Sequence, residues 1–265
     1  MILQGSIFSE TLNMSVGLSV FFPEKLQKRN VCRTVYLLHG LHGDNGTWLY
    51  NTMLPVIAKN TNSVFIMPEV GRSFYADMKR GHRYFAYVSE ELPEICKRNF
   101  NISTKREDTA VMGCSMGGYG ALKLALSKPD RYGFCGAISP ACLFLDELLY
   151  KLRKEWERYS QTGREAASII RDFKAIFGDD FQYNSGDVIL ELARNAEKAP
   201  EKPKIYMACG TGDDLLADNQ RFAEEMKRPD FDYMDYLYEE WIGAHDWKFF
   251  NEALAKALQM WNERA

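Results

Sequence analysis

Gly113-Cys114-Ser115-Met116-Gly117 is the stretch of this chain best suited to chemistry. It reads G-x-S-x-G, follows an apolar run at 109–112 and precedes a helical pattern at 119–126. A serine between a strand and a helix sits on a sharp, strained turn with its hydroxyl pushed into the open. Small residues on either side let strand and helix pass where a larger side chain would collide. Ser115 is therefore the candidate nucleophile. A serine hydroxyl is a weak nucleophile at neutral pH and needs a base within hydrogen-bond reach. Of the four histidines, His245 fits best: it follows the last predicted strand, precedes the last predicted helix and completes the chain order serine, acid, histidine. The base in turn needs a carboxylate to hold its tautomer. Cys209-Gly210-Thr211-Gly212-Asp213-Asp214 supplies two adjacent aspartates after a predicted strand. Alternate side chains of an extended segment point opposite ways, so one of the two faces His245, and spacing alone leaves both open.

An ester carbonyl under attack develops an oxyanion that needs two preorganised backbone donors. The N–H of Met116, the residue after the nucleophile, is one candidate. The N–H of Leu41, in the Gly-rich loop Leu38-His39-Gly40-Leu41-His42-Gly43, is the other. His39 and His42 belong to no metal-ligand spacing, so no metal is expected; His39 reads as a structural hydrogen-bonding group at a strand end. Cys114 reads as packing beside the turn. Trp48, Phe74, Tyr75 and Tyr84 lie near predicted loops at the carboxyl ends of strands. Trp48 and Tyr75 are the candidates for lining a substrate pocket.

The elements that must position these groups alternate between strand and helix. Partial period-two alternation over 2–22 predicts antiparallel strands. Short apolar runs at 35–38, 64–67, 109–112, 137–138 and 205–208 suit strands buried on both faces, with a further strand at 233–238. Helical patterns cover 83–100, with Pro93 kinking or restarting it, then 118–127, 219–227 and 249–264. This order predicts an α/β protein with a mostly parallel central sheet and helices on both faces. Residues 143–199 break the rhythm, being longer than a crossover needs, and read as a helical cap-like insertion over the carboxyl ends of the strands. The chain is expected to be one domain over 1–265.

The 265 residues are 46% apolar and 26% charged, with a formal net charge of −3. This balance argues against a nucleic-acid partner, and no apolar stretch suits a membrane span. With no targeting segment visible, the expected address is cytoplasmic. The six cysteines form no C-x-x-C pair and read as buried thiols of a reducing compartment.

Taken together these residues resemble the esterase D / tributyrin esterase family, an α/β-hydrolase group with feruloyl and acetyl-xylan esterase relatives. The resemblance rests on Leu38-His39-Gly40 with Gly43 and Trp48, on Tyr75-Ala76-Asp77-Met78 and Tyr84 to Pro93, on the stretch from Gly113 to Leu122, on Cys209-Gly210-Thr211 with Asp213 and Asn219, and on Gly243 to Trp247. It implies an α/β-hydrolase fold and a cofactor-independent carboxylesterase for short-chain acyl esters, with Ser115, Asp213 and His245 as the triad. The chain departs from the commoner pattern at Asp44, where relatives often carry asparagine, and at Gly212, where they often carry glutamate. The implied partner is a small-molecule ester, with a homo-oligomer open. An acyltransferase or a thioesterase of the S-formylglutathione hydrolase kind would use the same triad, and a hydrolase-fold binding protein would lack part of it.

Overall fold

The computed structural model describes residues 1–24 and 31–263. Among them, β1 (Ile2–Ser9), β2 (Met14–Phe21), β3 (Arg33–Leu38), β4 (Ser63–Pro68), β5 (Thr109–Cys114), β6 (Phe134–Ile138), β7 (Lys204–Gly210) and β8 (Tyr236–Trp241) form one sheet. Its order is β1-β2-β4-β3-β5-β6-β7-β8. β2 pairs antiparallel with β1 and β4, and every other neighbour is parallel. Helices α1 (Thr47–Asn51) and α2 (Leu54–Ile57) follow β3. After β4 come α3 (Tyr84–Ala86), a π-turn over Tyr87–Glu91, and α4 (Leu92–Asn99). Helix α5 (Met116–Ser127) follows β5, and α6 (Leu145–Ser160), α7 (Arg164–Phe177) and α8 (Ile189–Ala196) follow β6. Helix α9 (Leu216–Met226) follows β7, and α10 (Trp247–Asn262) follows β8. This is the α/β-hydrolase fold.

The apolar runs are continuous because the central strands β3 to β7 feed a core on both sides of the sheet. Val35 and Leu37 join Trp48, Leu54, Phe249 and Leu254 on one face. Tyr36 and Leu38 join Tyr119, Leu122, Leu149, Phe173 and Ile189 on the other. Thus α1, α2 and α10 cover one face, and α5 to α8 the opposite one.

Element boundaries moved where a cap or turn decides them. Asp246 accepts from the Phe249 amide at 3.0 Å as a helix N-cap, so α10 starts at Trp247 rather than at 249. Arg264 lies outside the described residues. The last strand is Tyr236–Trp241 rather than 233–238, because a 3-10 turn over Pro229–Phe231 precedes it. Around Pro93 the helix does not break. Pro93 has no N–H for the Ser89 carbonyl, and Arg131 Nη1 donates to that oxygen instead at 2.6 Å, while the preceding turn widens to a π-turn.

Segment 143–199 divides its attachments. Helix α6 buries Leu145, Leu149 and Leu152, and α7 buries Ile170, Phe173, Ile176 and Phe177, both at helical spacing. Helix α7 is tied to the loop after β4: Arg72 Nη2 meets Asp172 at 2.7 Å and the Arg80 amide donates to the Ala175 carbonyl at 2.8 Å. Helix α8 instead lies beside α5. There Tyr119 donates its hydroxyl to the Asp187 carbonyl at 2.7 Å, and the buried Lys123 ammonium meets the Asp187 carboxylate at 2.7 Å.

Candidate active site

Ser115 is the N-cap of α5 and holds φ 55°, ψ −120°, a conformation that costs energy for a residue with a Cβ. The surroundings impose it. The Ser115 amide donates to the Ile138 carbonyl at 2.9 Å, and its carbonyl accepts from Ala141 at 3.1 Å. The flanking glycines make the close approach possible: a Cβ on Gly113 would lie 2.3 Å from the Gly117 carbonyl oxygen, and one on Gly117 would lie 2.4 Å from the Leu38 oxygen. Cys114 is buried, and burial pushes its thiol far above the ordinary value. Burial likewise raises Cys96, Cys142 and Cys209 to about 12.

Asp213 and His245 meet because two loops are joined by backbone hydrogen bonds. The Thr211 amide donates to the Trp241 carbonyl at 2.9 Å, and Gly212 donates to Gly243 at 2.7 Å. This brings the loop after β7 against the loop after β8. Asp213 Oδ2 then accepts from His245 Nδ1 at 2.8 Å, and Asp213 Oδ1 accepts from the Leu215 amide at 2.8 Å. Asp214 is exposed. Burial pushes the Asp213 carboxyl up. Hydrogen bonds from His245 and the Leu215 amide oppose that effect, and the carboxyl lies below the ordinary aspartate value. With Nδ1 occupied, His245 turns Nε2 outward. Its side chain is 30% exposed, and Phe250 packs edge-on against the ring at 5.0 Å.

The Gly-rich loop after β3 is braced from beneath. His39 is buried. It donates from Nδ1 to the Gly40 carbonyl at 2.8 Å and accepts the Val70 amide on Nε2 at 3.2 Å, which fixes the neutral tautomer. Asp44 Oδ1 accepts from the Gly46 amide at 2.7 Å and from Thr47 Oγ1 at 3.0 Å, tying the loop to the start of α1. Glu69 was not singled out from the sequence. Its carboxylate accepts from the Asn45 amide at 3.1 Å and the Gly71 amide at 2.7 Å, joining the loops after β3 and β4. Trp48 and Tyr75 require a correction. Both are fully buried rather than pocket-lining. Trp48 Nε1 donates to the Leu38 carbonyl at 2.9 Å and the Tyr75 hydroxyl to the His39 carbonyl at 2.9 Å, so each braces the start of the Gly-rich loop instead of lining a pocket. His42 points outward, 3.6 Å from Glu165 at the start of α7.

Ser115, His245 and the loop from Gly40 to Asp44 line one cleft of about 330 Å³. Thr47, Tyr50, Asn51, Trp247 and Phe250 complete its wall. No hydrogen bond joins Ser115 to His245 among the described contacts. The amides of Leu41 and Met116 donate to no other group among the described residues. Met116 opens α5, where a backbone N–H has no helical partner. The cleft thus gathers a serine hydroxyl, an imidazole braced by a carboxylate, and unspent backbone donors.

That combination on this sheet defines a serine hydrolase of the α/β-hydrolase type. Residues 9–260 match the family model for Esterase, and the chain belongs to that family. It is 29% identical over 267 residues to an acetyl esterase of Caldicellulosiruptor saccharolyticus, with 97% of each chain covered. It is 28% identical over 157 residues to S-formylglutathione hydrolase of Bos taurus, spanning 51% of this chain and 55% of that one. Substrate-bound FphF, a fluorophosphonate-binding serine hydrolase of Staphylococcus aureus, superposes with a TM-score of 0.80 at 26% identity over 98% of both chains. A ferulic acid esterase shares the fold, with a TM-score of 0.77 at 20% identity over 100% of this chain and 98% of its own. The chain is a serine carboxylesterase. Among the described residues no helix is long and apolar enough to cross a membrane.

Proposed function

We propose that the chain hydrolyses short-chain acyl esters, with Ser115 as nucleophile, His245 as general base and Asp213 as the acid that orients it. His245 takes the hydroxyl proton as Ser115 attacks the carbonyl carbon. The amides of Leu41 and Met116 hold the oxyanion. His245 then protonates the departing alcohol, leaving an acyl-enzyme that water hydrolyses by the same steps. The observation that carries this reading is the 2.8 Å Asp213–His245 contact on the wall of the cleft that also holds Ser115. Replacing Ser115 by alanine is expected to lower turnover of p-nitrophenyl acetate by about six orders of magnitude, from the loss of nucleophile and base acting together. Activity retained in that variant would remove the mechanism.

The cleft walls support small acyl groups: Leu41, Trp247 and Phe250 crowd a space of about 330 Å³. Acetyl and butyryl esters are expected to outrun long-chain ones in a p-nitrophenyl ester series. The S-formylglutathione hydrolase relatives favour testing a thioester beside its oxygen ester, where a faster thioester would shift the substrate class while keeping the triad. A cytoplasmic, reducing address is consistent with the free thiols at Cys96, Cys114, Cys135, Cys142 and Cys209. We read 143–199 as an insertion within a single domain, with α7 its part nearest the cleft through Glu165 and His42.

A further inference from the structure

The short loop that leaves β6 touches both halves of the proposed machinery. On one side it brackets the nucleophile: Ile138 accepts the Ser115 amide at 2.9 Å, and Ala141 donates to the Ser115 carbonyl at 3.1 Å. On the other it is fixed to the strand that carries the acid loop, since the Ser139 amide donates to the Ala208 carbonyl at 2.7 Å. The buried Asn219 side chain donates to the Pro140 carbonyl at 3.2 Å and holds the loop's far end.

Ser139, at the centre of this loop, combines two unfavourable features. Its φ is +42°, a region in which a serine is strained. Its side chain is 0% exposed, and Oγ has no partner within hydrogen-bond geometry. A buried hydroxyl left unsatisfied is costly, and strain held by its surroundings collects at functional sites. The hydroxyl lies against two groups, the Asp213 carboxylate and the Cys209 thiol. Each Asp213 oxygen already accepts one donor, from His245 or from Leu215, and each retains a further lone pair. A carboxylate is a much stronger acceptor than a protonated thiol.

We propose that Ser139 is a positioning residue whose hydroxyl donates to Asp213 and fixes that carboxylate against His245. This rests on the reading of Asp213 and His245 as acid and base. The hydroxyl then spreads part of the carboxylate's charge away from the imidazole and holds its plane. The same loop sets the backbone of Ser115, so one short segment registers nucleophile and acid together.

The test uses Ser139→Gly and Ser139→Ala in the full chain. Alanine lacks only the hydroxyl; glycine lacks the whole hydroxymethyl group but accepts the positive φ without strain, so it remains informative if the alanine variant folds poorly. Both are expected to lose about tenfold in kcat on p-nitrophenyl acetate with KM nearly unchanged, as for a lost hydrogen bond to a charged group. The acid limb of the rate profile should move to higher pH. Without the hydroxyl, the carboxylate's charge concentrates on the imidazole and stabilises its protonated form. The titratable groups facing Asp213 are His245, Cys209 on β7 and Tyr238 on β8, and burial raises both the Cys209 thiol and the Tyr238 phenol, moving them away from the acid limb. Parental kcat in Ser139→Gly overturns the proposal, and so does a fall in kcat with an unmoved limb, which marks altered packing alone. Parent protein that neither turns over the ester nor takes a fluorophosphonate at Ser115 overturns the underlying reading as well. With an active parent, failure belongs to Ser139 alone.

Discussion

Asp213 and Asp214 are neighbours with the same chemistry and opposite surroundings. Asp213 is buried with two hydrogen bonds to its carboxylate, and Asp214 is exposed. Asp213→Asn should lower kcat by about three to four orders of magnitude, because the amide favours the wrong imidazole tautomer. Asp214→Asn should stay within about twofold of the parent, as exposed substitutions usually do. Acid stability follows from the same group. Its carboxyl titrates lower in the folded chain than in the unfolded one. The ionised form therefore stabilises the fold, fully so above the unfolded value near 3.9, and this contribution is lost as pH falls through the lower folded value. Urea midpoints measured at pH 6 and pH 3 should differ more for the parent than for Asp213→Asn; an equal difference would contradict the assignment. Ser115 and His245 were legible in the sequence because a local motif and chain order carry them. The resemblance favoured Asp213, but spacing alone left both aspartates open, because the choice depends on which way the turn after β7 faces, and contacts with Gly243 on another loop set that. Trp48 and Tyr75 were misplaced for a related reason: an aromatic beside a loop can line it or brace it, and only burial distinguishes the two.

At the scale of elements, the strands were readable because runs apolar on both faces suit few other structures. Their ends were less so, because caps and turns decide them. The turn that carries Ser115 depends on the spacing of β3, β5 and α5. A methyl group on Gly117 would meet the Leu38 and His39 carbonyl oxygens at 2.4 and 2.7 Å, both of them backbone. Gly117→Ala should therefore destabilise the fold by about 2–3 kcal/mol and abolish activity, measured by urea unfolding and ester turnover. Arg131 serves the helix that Pro93 interrupts. Arg131→Ala leaves the Ser89 carbonyl without its donor and should cost about 1–3 kcal/mol in the same unfolding measurement, with kcat on the short ester unchanged. A parental urea midpoint would show that water replaces the guanidinium at no cost. That clasp could not be read from the sequence, since Arg131 and Ser89 are 42 positions apart.

Across the whole molecule, the two cores fix the sheet while the chemistry sits on loops at its carboxyl edge, as rigid scaffolds with variable loops commonly arrange it. Segment 143–199 was legible as a long, helical insertion, but its packing was not. Its division between the loop after β4 and the flank of α5 depends on pairs such as Arg72–Asp172 and Lys123–Asp187, whose partners come from distant parts of the chain. The buried thiols have a practical consequence for covalent labelling. At neutral pH the sulfurs of Cys96, Cys114, Cys135 and Cys209 remain protonated and enclosed, so soft alkylating reagents find no thiolate to attack there. Iodoacetamide at pH 7.5 should leave Cys96, Cys114, Cys135 and Cys209 unmodified in a peptide map and ester turnover unchanged. The chain is thereby suited to chemoselective tagging, in which a phosphorylating probe marks one oxygen in a molecule otherwise rich in sulfur.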